Sequence, residues 1–339
     1  MSGRVAVIGT GSWGTAAAGL VAGHADEVCM LARSDEVARS ISELHRNPRH
    51  LSSYELPANV RATTNAAEAL AGAGQVLVAV PSSFLRATLA SCAAAVPDPA
   101  GLLVLTKGIE PGSHLLMTEV VAQELGHPRR IAALSGPNHA EEISRGMVSA
   151  GVVAAEDETL ARDFQRLLHS TSFRAYRSRD VRGVEVCAAV KNVIAIACGV
   201  CAGLGMGDNA LAVLMTRGLA EVGRIVSALG GDTLTCMGLA GMGDLVATCT
   251  SRHSRNRSFG EAFAAGETLE SYEGRTRMVV EGARAAVSVW ELACEMGIET
   301  PVTHAVHAIL YEGVRLEEAA GLLLDRGPNE EFYGLRTNE

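Results

Sequence analysis

The 339-residue chain lacks any run of about 18 apolar residues free of charge, the length that a bilayer-spanning helix needs. Its best candidate, VEVCAAVKNVIAIACGVC at residues 184–201, is interrupted by Lys191, so no integral membrane segment is expected. Positive charge is also short. Lysine and arginine total 29 against 38 aspartate and glutamate, a formal net charge of -9. That balance argues against nucleic acid or an anionic membrane surface as a partner, and an anionic substrate would need a local cationic pocket. The opening MSGRVAVIG has no basic region, apolar run and cleavage site in succession, so no signal peptide is expected. Glycine and proline follow no period, which excludes collagen-like and low-complexity readings, and no internal repeat is present. The eight cysteines sit mostly in apolar segments, as reduced thiols of a cytosolic protein would. The one C-x-x-C, Cys198 and Cys201, has no second pair spaced for zinc. It reads as two small hydrophobes on one helix face, and no metal is expected.

What is present is an ordinary globular composition, 48% hydrophobic and 20% charged, long enough for two domains. In the first half, the apolar runs 4–9, 27–32, 75–80, 102–106, 130–136 and 149–155 alternate with helically spaced segments. Such alternation predicts an α/β fold: a Rossmann-like, doubly wound parallel sheet over residues 1–180. Near 178–182, in the charged RSRDVRG, the pattern changes, and residues 181–339 read as an all-helical domain.

Gly9, Gly11 and Gly14 form G-x-G-x-x-G directly after a strand and at the opening of a helix. The first allows a tight turn, the second close approach of backbone to a pyrophosphate, and the third close helix–strand packing, with helix N–H groups left for phosphates. The bland alternative is a strand–helix turn without a ligand. The second strand ends at MLARSDE, placing Arg33 where NAD-binding proteins carry an acid. Arginine there favours the 2′-phosphate of NADP over NAD, unless it is a solvated surface residue; Asp35 and Glu36 come late in the run.

Lys107 follows a buried strand at the sheet's carboxyl edge, where ligands of open α/β sheets bind. In ALSGPNHAEE, Ser135, Gly136 and Pro137 make a tight turn, and Asn138 can cap the following helix or leave its N–H groups to a ligand. Lys191 stands in an apolar helix. It snorkels to the surface, pairs structurally with Asp244 or Glu185, or acts as a catalytic acid/base, since desolvation and neighbouring cations bring a lysine's pKa towards the useful range. GLAGMGDLVATCTSRHSRNRSFG embeds Asp244 among glycines and continues to Ser254, Arg255 and Asn256. The arginine suits bidentate phosphate recognition, against the alternative of a flexible loop with a helix cap.

In order along the chain, GTGSWGTA, VPS, KGIE, LSGP with AEE, AAVKNVIAIA, GLAGMGDLVATCTS, SRN and VVEG (279–282) resemble the NAD(P)-dependent glycerol-3-phosphate dehydrogenase family of bacterial type. The resemblance spans nearly the whole chain, and its VKN and GDL…SRN blocks are far more specific than the glycine fingerprint. It implies reversible reduction of dihydroxyacetone phosphate, a phosphorylated triose, to sn-glycerol 3-phosphate for glycerophospholipid synthesis. By it Lys191 matches the catalytic lysine. Lys107, Gly136, Asn138, Lys191, Asp244, Ser254, Arg255 and Asn256 match substrate positions. Gly9, Gly11, Ser12, Trp13, Gly14, Arg33, Lys107, Ala140, Arg255, Val279 and Glu281 match cofactor positions, with NADP or NAD as the cofactor and NADPH favoured. Asn138 stands where serine or threonine is usual, and His139 where phenylalanine is common. A homodimer is expected from the apolar C-terminal helices. Two rivals are a dehydrogenase of the same architecture acting on another hydroxy acid or sugar, and a non-catalytic dinucleotide sensor. The phosphate-type GDL…SRN block opposes the first, and the presence of Lys191, Asp244 and Arg255 opposes the second.

Overall fold

The computed structural model describes residues 3–126, 130–324, 330, 331, 333 and 334. The chain forms two units: Met1–Lys107 with Met117–Val181, and Gly108–Leu116 with Arg182–Glu339. The excursion of Gly108–Leu116 into the second unit was not foreseen. Met1 and Glu339, the outer ends of the two expected domain spans, lie outside the described residues, as does Asp325, where the sequence pattern ends a helix begun at Leu316.

The first unit is a sheet of eight strands: β1 Arg4–Ile8, β2 Glu27–Leu31, β3 Val60–Thr63, β4 Ala73–Val78, β5 Gly101–Val104, β6 Ile131–Ser135, β7 Ser149–Ala154 and β8 Phe173–Ser178. Its helices are α1 Ser12–Ala22, α2 Asp35–Leu44, α3 Ala66–Leu70, α4 Ser82–Cys92, α5 Met117–Leu125, α6 Ala140–Ile143 and α7 Glu158–Leu168. Strand order is β3-β2-β1-β4-β5-β6-β7-β8. The central strands read as apolar runs because helices cover both faces of a parallel sheet, and β5 is buried at every position. Val7, Met30, Leu77, Leu103 and Phe164 meet in one core. Truncating such an aromatic to alanine costs about 3–5 kcal/mol.

Two features depart from the expectation. β7 pairs antiparallel with β6, so the sheet is parallel except at that join. Gly136, at φ +145, opens the connection between them, and a Cβ there would stand 2.7 Å from Gly151 Cα. Strands β3 and β8 were not expected. β3 alternates buried and half-buried positions, and β8 starts by alternating buried with exposed ones, a period-2 signal only a few residues long. The chain order reverses at β1, which has β2 on one side and β4 on the other. The crevice at the carboxyl ends of these strands is where open α/β sheets bind ligands.

The second unit is helical: α8 Val181–Gly203, α9 Gly207–Ala228, α10 Asp244–Thr250, α11 Arg255–Ala264, α12 Leu269–Thr276, α13 Glu281–Met296, α14 Pro301–His307 and α15 Leu316–Leu324. By length and composition α8 could cross a membrane, but 78% of its apolar window is buried inside the protein, as in a core helix. Val193, Ile194 and Ile196 of α8 pack with Phe259, Val280 and Val289. Helices α8 and α11 cross with backbones in contact: a Cβ on Gly260 would sit 2.8 Å from Val200 N. That approach holds the middle of α11 against the last turns of α8. For the glycine-rich stretch before Asp244, a flexible loop was the alternative reading. It instead forms a widened, π-helical turn, Leu239–Gly243, in which Gly243 N donates to Gly238 O at 3.1 Å, running directly into α10.

Candidate active site

In the sheet unit, β1 ends in the glycine turn and α1 begins. Gly9 has φ +108, a conformation that disfavours side chains, and a Cβ there would stand 2.6 Å from Ala79 O. Gly14 packs against the carbonyl of Gly9. Gly11 is the N-cap of α1 without a side-chain cap, and no acid occupies the first turn, which includes Ser12 and Trp13. A Cβ on Gly11 would meet no atom within 4 Å. Among the described residues, the N–H of Gly11 has no protein acceptor, and the buried Trp13 Nε1 has no partner. Open backbone, free donors and an uncapped helix start fit a dinucleotide's pyrophosphate.

Arg33, at the end of β2, is exposed and pairs with no carboxylate among the described residues. The acids after it are engaged: Asp35 accepts from Thr64 at 2.6 Å, and Glu36 pairs with Arg49 at 2.5 Å. Lys107 Nζ donates to Asn138 Oδ1 at 3.2 Å. Asn138 is 8% exposed, and its buried Nδ2 has no partner among the described residues. Of the two readings of Asn138, the helix cap is not the one the structure shows. His139 takes the N-cap position, without a side-chain bond to the helix, and Ala140 begins α6.

In the helical unit, Lys191 is 5% exposed and pairs with Asp244, itself 2% exposed. Snorkelling is ruled out, and of the two expected partners it is Asp244 that takes the ammonium. Lys191 Nζ also donates to Thr248 Oγ1 at 2.8 Å, and that hydroxyl donates to the Asp244 carbonyl at 2.6 Å. Asp244 and Thr248 are four residues apart on α10, so both face α8. Thr248 was missed; its signal was only the i, i+4 spacing from an acid in DLVAT.

Asn192, beside the lysine, was also missed as an anchor. Its Oδ1 accepts from Asn256 Nδ2 at 2.9 Å, and Asn256 Oδ1 accepts from Gly282 N at 2.9 Å. This chain pins the starts of α11 and α13 to α8. Asn256 thus spends its carboxamide within the protein, and Ser254 caps α11 by accepting from Arg257 N at 3.2 Å. Between them Arg255 projects into solvent, its guanidinium donating to Val279 O at 3.4 Å. Glu281 opens α13 directly after.

A hydrogen bond from Cys198 and burial hold the Cys249 thiol well above its ordinary value. Among the described residues, no group of three or more histidine, cysteine, aspartate or glutamate side chains is arranged to hold a metal ion.

Comparison with known proteins gives two family-model matches. The model described as NAD-dependent glycerol-3-phosphate dehydrogenase N-terminus covers residues 4–161, and its C-terminus counterpart covers 180–321. The chain is 48% identical over 330 residues to glycerol-3-phosphate dehydrogenase (NAD(P)+) of Nocardia farcinica, covering 95% of this chain and 98% of that protein. It is 47% identical over 336 residues to the protein of the same name from Thermobifida fusca, covering 98% and 99%. A crystal structure of glycerol-3-phosphate dehydrogenase from Coxiella burnetii matches with a TM-score of 0.90 at 36% identity, covering 96% of this chain and 99% of that one.

Proposed function

The chain belongs to the NAD-dependent glycerol-3-phosphate dehydrogenase family, and from that premise we propose that it interconverts dihydroxyacetone phosphate and sn-glycerol 3-phosphate, supplying glycerophospholipid synthesis. The observation that carries the reading is the buried Lys191–Asp244–Thr248 cluster on α8 and α10. We assign coenzyme binding to residues 1–180 and the chemistry to residues 181–339.

When bound, the nicotinamide supplies or accepts the hydride at C4. As the substrate's carbonyl carbon gains that hydride, its oxygen becomes an alkoxide that requires positive charge and a proton. Lys191 meets both needs: its ammonium stabilises the oxyanion and passes it a proton, leaving an amine that solvent reprotonates. Asp244 compensates the buried charge, and with Thr248 it fixes the direction of Nζ. Arg255 clamps the substrate phosphate, with Ser254 and Asn256 at its sides, and binding of that remote group positions the ketone. Lys107, Gly136 and Asn138 complete the substrate set, and the buried, unpartnered Asn138 Nδ2 supports a donor role for that residue. Gly9, Gly11, Ser12, Trp13, Gly14 and Ala140 hold the coenzyme, and Val279 and Glu281 join Arg255 in doing so.

Arg255→Ala is expected to raise KM for the phosphorylated ketone about ten- to a hundredfold, the worth of a charge-assisted contact, with a smaller change in kcat. Steady-state kinetics with the ketone varied checks this, and an unchanged KM counts against the clamp. Arg33, which pairs with no carboxylate among the described residues, supports a preference for NADPH. Arg33→Asp should lower the NADPH/NADH ratio of kcat/KM by about tenfold or more. Equal ratios before and after the change would remove Arg33 from the 2′-phosphate.

All eight cysteines are free thiols, which supports a cytoplasmic setting. The apolar helices of the second unit support a homodimer, which light scattering in solution would measure. The activity itself is tested by the near-ultraviolet absorbance of the reduced coenzyme, with dihydroxyacetone phosphate as sole substrate. Loss of absorbance is expected, and none with either coenzyme would refute the proposal.

A further inference from the structure

Asn47, in the loop after α2, is fully buried, at 0% exposure, and the mechanism above does not use it. Its Nδ2 donates to Thr10 O at 2.8 Å and to Thr15 Oγ1 at 2.8 Å. Its Oδ1 accepts from Arg49 N at 3.0 Å and from His50 N at 3.1 Å. Thus both amide hydrogens and the carbonyl of one side chain are satisfied in the interior, joining its own loop to the glycine turn 37 residues earlier. A buried carboxamide left without partners would cost about 1–3 kcal/mol per group, so such a hub holds its surroundings in one arrangement.

Thr10 is the residue between Gly9 and Gly11. A trans peptide holds its C=O and N–H antiparallel, and no cis peptide occurs among the described residues. Anchoring Thr10 O inward on Asn47 therefore turns Gly11 N–H outward, and that N–H has no protein acceptor among the described residues. The same anchor holds the Thr10 carbonyl, which would repel an anion, on the side of Asn47. Thr15, one turn into α1, braces the amide from the helix side.

We infer that Asn47 is the positioning residue of the coenzyme site: it orients the Thr10–Gly11 peptide so that its N–H meets the pyrophosphate. The inference rests on the dinucleotide reading of the glycine turn.

The test uses the full chain, with ADP and adenosine as competitive inhibitors against the reduced coenzyme. For Asn47→Ala the Ki of ADP rises about tenfold or more, while that of adenosine, which has no phosphate, stays within about twofold. Coenzyme KM rises more than kcat falls. A variant that melts lower yet keeps the unsubstituted protein's ADP Ki and coenzyme KM would make Asn47 merely structural and overturn the inference. If Asn47→Ala does not fold, Thr15→Val removes one brace of the same amide. It should shift the ADP Ki in the same direction by less, and an unchanged Ki there is equally contradictory. Failure of ADP to inhibit the unsubstituted protein would remove the dinucleotide reading itself, and the inference with it.

Discussion

Lys191→Ala is expected to lower kcat about 10³-fold, the combined worth of a proton donor and an oxyanion partner in a dry site. Coenzyme affinity should remain close to that of the unsubstituted protein, because the glycine turn and α1 belong to the sheet unit. The measurement is kcat at saturating ketone, with coenzyme dissociation followed by fluorescence. The size of the effect follows from burial. Lys191 is 5% exposed, so in the alanine variant bulk water is a poor substitute for its charge at the oxyanion. Substantial residual turnover would reduce the ammonium to a structural counter-ion of Asp244.

Asp244→Ala should have the largest effect on stability. It leaves an ammonium buried without its carboxylate, a defect worth about 3–5 kcal/mol in denaturant unfolding. The Lys191→Met, Asp244→Leu double variant separates stability from chemistry. Replacing a buried pair by apolar side chains of similar volume is often neutral or stabilising, so the double variant should recover most of the loss while remaining inactive. If both single variants and the double unfold at the denaturant concentration of the unsubstituted protein, the pair contributes nothing to the helical unit.

The sheet was legible where a strand is buried on both faces, since β1, β4 and β5 announce themselves as apolar runs. The two partly exposed strands were not, because a few residues of alternation do not rise above chance. Nor does an apolar run state its direction, which hid the antiparallel join of β6 and β7. The stretch before Asp244 misled for a different reason. Each glycine disfavours helix by about 1 kcal/mol, so the segment reads as a loop, and tertiary packing overrides that preference. At Gly241 a Cβ would overlap the backbone of Cys236, so glycine serves close packing there.

The candidate site divides similarly. The glycine turn and Arg33 were visible because their meaning depends on neighbours in sequence. Whether Lys191 reaches the surface or pairs within the fold was open until its burial and its partners on α10 were known. Thr248, Asn192 and Asn47 act through hydrogen bonds across 57, 64 and 37 residues, and no periodicity records such contacts. Asn256 was assigned to substrate by resemblance, and its side chain proves to tie α11 to α8 and α13.

The most direct measurement is the fate of the hydride. The chain is incubated with dihydroxyacetone phosphate and reduced coenzyme deuterated at the transferring position of C4, and the product is weighed and located by mass spectrometry and NMR. The account predicts sn-glycerol 3-phosphate carrying one deuterium at C2 from the unsubstituted protein, with that product nearly abolished in Lys191→Ala. Unlabelled product, label elsewhere, or undiminished formation by the variant would contradict it.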